Sequence, residues 1–399
     1  MTRKQYNTIV FISTFLFAVG FYYFRLVPKS AIRGIELLTI VSIIGHLVFF
    51  GIYDQWDRTI SRGFVLPVIL LILGVIASSI SSYYVYSQRL SETLYFQRHM
   101  YAYLFYFLLF YINPHPKLII KVILWLTIIN CIIYIIQYFL YPNYITYAQT
   151  FFQRGTVRIN LPGTNIRHIG FFLAINRFYT TNKIKYVFII LLVLSVAILS
   201  GFRSTLAMYI FLAIAYLISG SKVKNRVALL GLFFLMAFAA VFAFQSIIAE
   251  MKESAQKDAE SGSDYVRIRA AEYFMTKKNP NAITYTFGNG QPGETSRYAL
   301  ENKLIALKYG YYLSDIGIIG FYYRFGVLPT LLILLLAIRL ASANLGNDYL
   351  FVRLFAIFQL SLMFNTVVVF DTLAGAVLVS VLLYLIDLKN SGKLQENEN

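Results

Sequence analysis

The feature that most constrains this chain is a series of uninterrupted apolar runs at roughly 6–24, 35–53, 64–86, 101–112, 118–141, 169–179, 185–200, 204–220, 226–248, 311–338, 349–366 and 369–387. Continuous runs approaching ~20 residues match the hydrocarbon thickness a helix must cross, and in lipid every backbone N–H and C=O must be paired within the segment. The runs are continuous instead of alternating, which selects helices over a barrel. Charged residues make up 13% of the chain, against roughly 25% in soluble domains. The predicted fold is an all-α polytopic integral membrane protein, one transmembrane domain over 1–399 with about twelve transmembrane helices. The runs that begin at Tyr101 and Ile169 are short for a bilayer. They are expected to borrow neighbouring polar residues or to sit tilted inside protein.

Lys and Arg number 35 against 18 Asp and Glu, a net charge of +17. In a soluble chain such an excess points to nucleic acid; in a membrane protein, basic residues collect in cytoplasmic loops as topology signals, and no nucleic-acid partner is expected. A twelve-span path puts the basic stretches 1–4, 182–185, 221–226, 339–353 and 389–393 on one side, with both termini cytoplasmic. Arg25, Lys29, Arg33, Arg89 and Arg98 fall on the other side, against that rule. The single cysteine, Cys131, excludes an intramolecular disulfide and a cysteine metal cluster. Residues 1–4 and the run after them lack a small-residue cleavage site and read as the first span.

Three interruptions fall together on the outer face: a basic extracytoplasmic loop at 142–168, a tight hairpin at 201–204, and a long extracytoplasmic loop at 250–310. The first, Arg154-Gly-Thr-Val-Arg158-Ile-Asn-Leu-Pro-Gly-Thr-Asn-Ile-Arg167-His168, holds three arginines and no acid. Guanidinium forks match phosphate oxygens bidentately and do not lose their proton, so the loop suits an anionic headgroup; anchoring to ordinary anionic membrane lipid is the blander alternative. Pro162-Gly163 supplies a turn to bring Arg158 near Arg167. Arg203, between two apolar runs, calls for an anion at the membrane surface or snorkels to the interface. Arg324, deep in a predicted span, needs an internal partner or a re-entrant segment.

In the long loop, residues 264–278 space Val266, Ala270, Tyr273 and Phe274 for one helix face, with Asp264 as N-cap and Asn279-Pro280 as the stop. This helix, carrying Arg267 and Arg269, is expected to lie on the membrane with its apolar side down. Gly288-Asn-Gly290 offers a turn where backbone amides approach a ligand. Glu294, Arg297, Tyr298, Tyr309, Tyr311, Tyr312 and Asp315 follow; such tyrosines serve as an interfacial belt or, beside carboxylates, as sugar-stacking rings. Of the four histidines, His46, His99, His115 and His168, only His168 adjoins these loops. No Walker loop, His-x-x-x-His pair or carboxylate metal cluster is present, and no cofactor is expected.

The order of these features resembles the O-antigen polymerase and O-antigen ligase family of bacterial envelope membrane proteins. The resemblance runs over roughly 154–326: a basic outer loop, Ser200-Gly-Phe-Arg203 as the family's Ser-x-x-Arg, Arg269 to Tyr273 as its Arg-x-x-x-aromatic, Gly288-Asn-Gly290 as its Gly-x-Gly, and Tyr311-Tyr-Leu-Ser-Asp-Ile-Gly-Ile-Ile-Gly320 as the start of the following span. It implies a GT-C-like glycosyltransferase of the bacterial cytoplasmic (inner) membrane that needs no metal or nucleotide. Such an enzyme transfers an undecaprenyl-pyrophosphate-linked oligosaccharide onto a second lipid-linked repeat, with a chain-length regulator protein as a further partner. On this resemblance Arg158, Arg203 and Arg269 hold pyrophosphate, supported by Arg154 and Arg167; Arg297, Tyr298 and Tyr309 meet sugar; and the base is open among Tyr311, Tyr312, Asp315, Glu294 and His168. The ligase branch carries a His late in the long loop. This chain has none between 250 and 315, which favours a repeat-unit polymerase. A ligase or related oligosaccharyltransferase is the first alternative. A lipid-linked oligosaccharide flippase or transporter is the second, disfavoured because the unusual charge lies in outer loops and not at mid-membrane.

Overall fold

The computed structural model describes residues 2–26, 28–53, 59–153, 156–219, 265–279 and 281–396, with isolated residues between 249 and 262. In chain order the first helices are α1 (Arg3–Ala18), α2 (Lys29–Tyr53), α3 (Val65–Tyr86), α4 (Leu90–Phe96), α5 (Phe105–Ile112) and α6 (Pro116–Leu140). A hairpin of β1 (Gln149–Gln153) and β2 (Thr156–Asn160) leads into α7 (Thr164–Thr181), α8 (Lys185–Leu199) and α9 (Arg203–Ser219). The polar passage contributes α10 (Val266–Glu272), α11 (Ala282–Phe287) and α12 (Arg297–Tyr309). Then come α13 (Gly317–Phe325), α14 (Val327–Ser342), α15 (Leu350–Leu362), α16 (Leu373–Asn390) and the short α17 (Lys393–Glu396).

The described residues are mostly helical, and four of these helices are long and apolar enough to cross a membrane: Ala31–Ile52, Val65–Tyr86, Pro116–Leu140 and Leu373–Asn390. Helix α16 is the axis. Every residue from Leu373 to Leu388 is buried, as expected of a helix apolar on all sides, and α1, α5, α7 and the 3-10 turn Arg98–Leu104 pack around it. At the periphery, α2 exposes Leu37, Leu38, Val41, Val48 and Ile52, the apolar exterior that lipid accommodates and water does not. Close approach is built in where α6 meets α7: a Cβ on Gly170 would lie 1.9 Å from Thr127 Oγ1.

Several expectations change. The chain is not wholly α: the basic loop at 142–168 contains the antiparallel hairpin, with Phe151 opposite Arg158. Its β-branched Thr156, Val157 and Ile159 favour extension. The short run from Tyr101 becomes the end of the 3-10 turn Arg98–Leu104 followed by α5, all of whose residues are buried, so α5 sits inside protein. The run from Ile169 is extended N-terminally to Thr164, which brings Arg167 and His168 into the helix. The predicted span at 311–338 is two helices, α13 and α14, broken at Gly326. The predicted span at 226–248 and the candidate N-cap Asp264 lie outside the described residues. Helix α10 forms where expected and continues into a π-helical turn at Tyr273–Lys277, but buried Ala270 and Phe274 pack on Tyr298, Ile305, Ile316 and Tyr323 in a small core, so these apolar residues meet protein.

The break at Gly326 explains the glycine turn. A helix that stops leaves carbonyls without an intrahelical partner, and those of Tyr323 and Arg324 accept from Asn289 N (2.9 Å) and Gly290 N (2.8 Å). The amides expected to approach a ligand are therefore spent on capping. Gly288 (φ +83) and Gly326 (φ +80) face each other across this contact, and a Cβ would lie 2.4 Å from Arg324 O at the first and 2.4 Å from Thr286 O at the second. Gly288→Ala and Gly326→Ala should each cost about 1–3 kcal/mol from backbone strain alone. The check is thermal unfolding in detergent, with Gly45→Ala, which meets nothing within 4 Å, expected to show no loss.

Candidate functional site

Three clefts open around the segment at 366–372 that links α15 to α16, and Val368 lines all of them. The segment is tied down from several sides. Asn165 Nδ2, on α7, donates to Val368 O (3.2 Å) and Thr372 Oγ1 (3.1 Å), and Tyr103 Oη donates to Phe370 O (3.2 Å). Thr372 also caps α16, its hydroxyl accepting from Gly375 N.

The first cleft, of about 610 Å³, is basic. Arg158 comes from β2, Arg167 from the first turns of α7 and Arg267 from α10, and Asp315 and His168 share the lining. Arg158 is 8% exposed and Arg167 4% exposed. Arg158 Nη2 donates to Gly201 O (3.2 Å), and its guanidinium lies 4.9 Å from the Phe202 ring centroid. Arg167 Nη1 donates to Asn130 Oδ1 (3.3 Å) over the ring of Tyr134. Arg267 Nη1 donates to Asn365 Oδ1 (2.9 Å). A backbone carbonyl, neutral amides and aromatic faces help to fix these guanidiniums in place, and their planar forks suit an anion with several oxygens.

The second cleft, of about 660 Å³, shares Asn160, Thr164, Asn165, Arg167, Phe202 and Val368 with the first. It carries mixed charge. Arg98 pairs with Glu36, which also accepts from Tyr23 Oη (2.8 Å), and exposed Arg33 pairs with Glu294 at 2.5 Å. Arg33 and Arg98, which broke the topology rule, therefore line a cleft that adjoins the arginine site. Asp371 accepts from His99 Nε2 (2.8 Å) and from Arg324 Nη2 (2.5 Å). Burial pushes the Asp371 carboxyl up, but the Arg324 guanidinium and the His99 hydrogen bond outweigh it and hold the group below the usual carboxylate range.

Arg324 has an internal partner, and its whole fork is engaged. Nε donates to Gly320 O (3.1 Å), Nη1 to Gln291 Oε1 (3.0 Å) and Nη2 to Asp371. It clasps α13, the glycine turn and the 366–372 segment together. The third cleft, of about 410 Å³, lies against this clasp and is lined by Tyr311, Tyr312, Lys303, Gln291, Arg324 and Asp371 among others.

The candidates from sequence fare differently. Arg158, Arg167, Asp315 and His168 converge on the basic cleft, Glu294 borders the second, and Tyr311 and Tyr312 border the third. Arg203 begins α9, with its neighbours Phe202, Ser204 and Thr205 in the basic cleft lining. Arg269 is exposed, whereas Arg267, two residues away and on another helix face, lines the cleft. Tyr298 is 1% exposed, stacked on Tyr86 at 4.2 Å, and donates to Gly290 O; it supports the glycine turn and presents no ring to a sugar. Arg297 pairs with Glu301 at 3.0 Å. The Lys278 hydrogen bond, with help from Arg297, holds the Glu301 carboxyl below its usual value. Tyr309 is half-exposed and stacks on Tyr311 (5.4 Å, 22°). Arg154 lies outside the described residues.

Two residues at the centre were not singled out from sequence. In the sequence His99 stands apart from the other histidines and from the outer loops, and Asp371 lies inside the last apolar run. The available signal was a lone acid in Val-Val-Val-Phe-Asp371-Thr-Leu, since an ionisable residue in such a run marks a partnered or functional site. A scan of family models finds none that matches this chain, and no curated protein matches it.

Proposed function

We propose that the protein is a polysaccharide repeat-unit polymerase, a metal-independent glycosyltransferase that moves an undecaprenyl-pyrophosphate-linked glycan onto another lipid-linked repeat at the outer face of a bacterial cytoplasmic membrane. With this reading go about twelve spans, a GT-C-like arrangement and cytoplasmic termini. The observation that carries it is the basic cleft, where Arg158, Arg167 and Arg267 from three separate elements line about 610 Å³. Pyrophosphate is a good leaving group, and fixed guanidiniums that meet the charge growing on it lower the barrier without a cofactor. The adjoining mixed-charge cleft and the half-exposed Tyr309 and Tyr311 rings suit sugar hydroxyls and pyranose faces.

The test is turnover in nanodiscs with undecaprenyl-pyrophosphate-linked oligosaccharide as both donor and acceptor. A ladder of lipid-linked multiples is expected, with one undecaprenyl pyrophosphate released per bond formed. Transfer only onto a different lipid acceptor, without a ladder, is the ligase outcome. Movement of the lipid-linked sugar between leaflets with no release of carrier is the flippase outcome. Either result overturns the polymerase reading.

A further inference from the structure

We infer that His99, oriented by Asp371, is the general base that accepts the acceptor hydroxyl proton; the assignment rests on the transfer reaction proposed above. Because the Asp371 carboxylate only accepts, His99 Nε2 carries the proton it donates across 2.8 Å, and in the neutral imidazole that tautomer places the lone pair on Nδ1. Nδ1 has no protein partner among the described residues, and the ring borders the second cleft. Asp371 is itself held by Arg324 at 2.5 Å, and the neighbouring Phe370 carbonyl by Tyr103 Oη at 3.2 Å. A base whose tautomer and orientation are set by a third, fixed group is the arrangement proton abstraction requires.

Placement points the same way. Arg167 lines both the basic cleft and the cleft that His99 borders, so a diphosphate held among the arginines lies next to the cleft that contains the base. The other candidates are less suited. His168 Nδ1 is bonded to Tyr209 Oη, and its ring packs on Phe358 at 5.0 Å. Glu294 is exposed and paired with Arg33. Asp315 is exposed and accepts from Ser314 Oγ at 3.0 Å. In the step itself, the acceptor oxygen forms a bond to the donor's anomeric carbon as its proton passes to His99 Nδ1. The bond from that carbon to the pyrophosphate oxygen breaks, and undecaprenyl pyrophosphate leaves with the electron pair. The imidazolium faces Asp371 and returns its proton to water.

The experiment compares wild type, His99→Gln and His99→Ala in nanodiscs, with undecaprenyl-pyrophosphate-linked oligosaccharide as substrate and carrier release as the readout. For His99→Gln, kcat should fall by at least about 100-fold while KM for the lipid-linked donor stays near wild type. His99→Ala should regain turnover as imidazole is added, which a purely structural role would not produce. An active wild type with an equally active His99→Gln overturns the assignment alone, as does a His99→Ala that imidazole fails to restore. A wild type with no turnover overturns the transfer reading and this assignment with it.

Discussion

Replacing Arg324 with Met should destabilise the protein by about 3–5 kcal/mol, because it leaves the buried Asp371 carboxylate without its main counter-charge. The same change removes the bonds to Gly320 O and Gln291 Oε1, so the break at Gly326 and the glycine turn loosen together. Thermal unfolding in detergent reads the loss. The double variant Arg324→Met/Asp371→Leu should recover much of it, since replacing both partners of a buried pair by apolar groups is often neutral. A double variant as unstable as the single one would show that the pair is not what Arg324 contributes. The pH dependence has a definite sign. Asp371 has a folded-state pKa held below its unfolded value, so its contribution is present above the unfolded value and is lost as pH falls through the folded one. The wild-type protein should therefore lose stability on acidification more steeply than Asp371→Asn does.

Arg158→Ala and Arg167→Ala should each reduce carrier release on the order of 10²–10³-fold, the usual cost of removing one preorganised group that meets developing charge. Both side chains are buried and line the same cleft, so the effect should fall on turnover and on donor affinity together. Arg158→Lys and Arg167→Lys keep the charge but lose the planar fork, and should recover only part of the activity. Arg267→Ala should weaken turnover more than Arg269→Ala, because only Arg267 borders the cleft. The family resemblance alone favours Arg269. Equal losses at 267 and 269 would remove the basis for reading the cleft as the diphosphate site.

Much of the local organisation was legible in the residues themselves. Continuous apolar runs announced the membrane-length helices, Ser200-Gly-Phe set a tight turn between α8 and α9, and Asn279 ended the surface segment. Pro162-Gly163 signals a turn, and that turn opens α7 so that Arg158 and Arg167 share one cleft. What escaped were features without a periodic signature. A five-residue strand pair inside a basic loop carries too few alternations to stand out. The capping use of Asn289 and Gly290 depends on carbonyls freed 34 residues later, which no local window contains. The split at Gly326 leaves no mark in the hydropathy because both halves are apolar on average.

Hydrophobic periodicity and charge placement, both local properties, were enough to determine helical secondary structure, the membrane class and the rough position of the basic groups. Which charges face each other was decided by tertiary packing. Arg324 meets Asp371 47 positions along the chain, and His99 reaches the same carboxylate from 272 positions away. The physical reason is that a charge inside an apolar assembly is stable only with a partner. The partner's distance along the chain is set by how the helices around α16 pack, and no short stretch of residues records it.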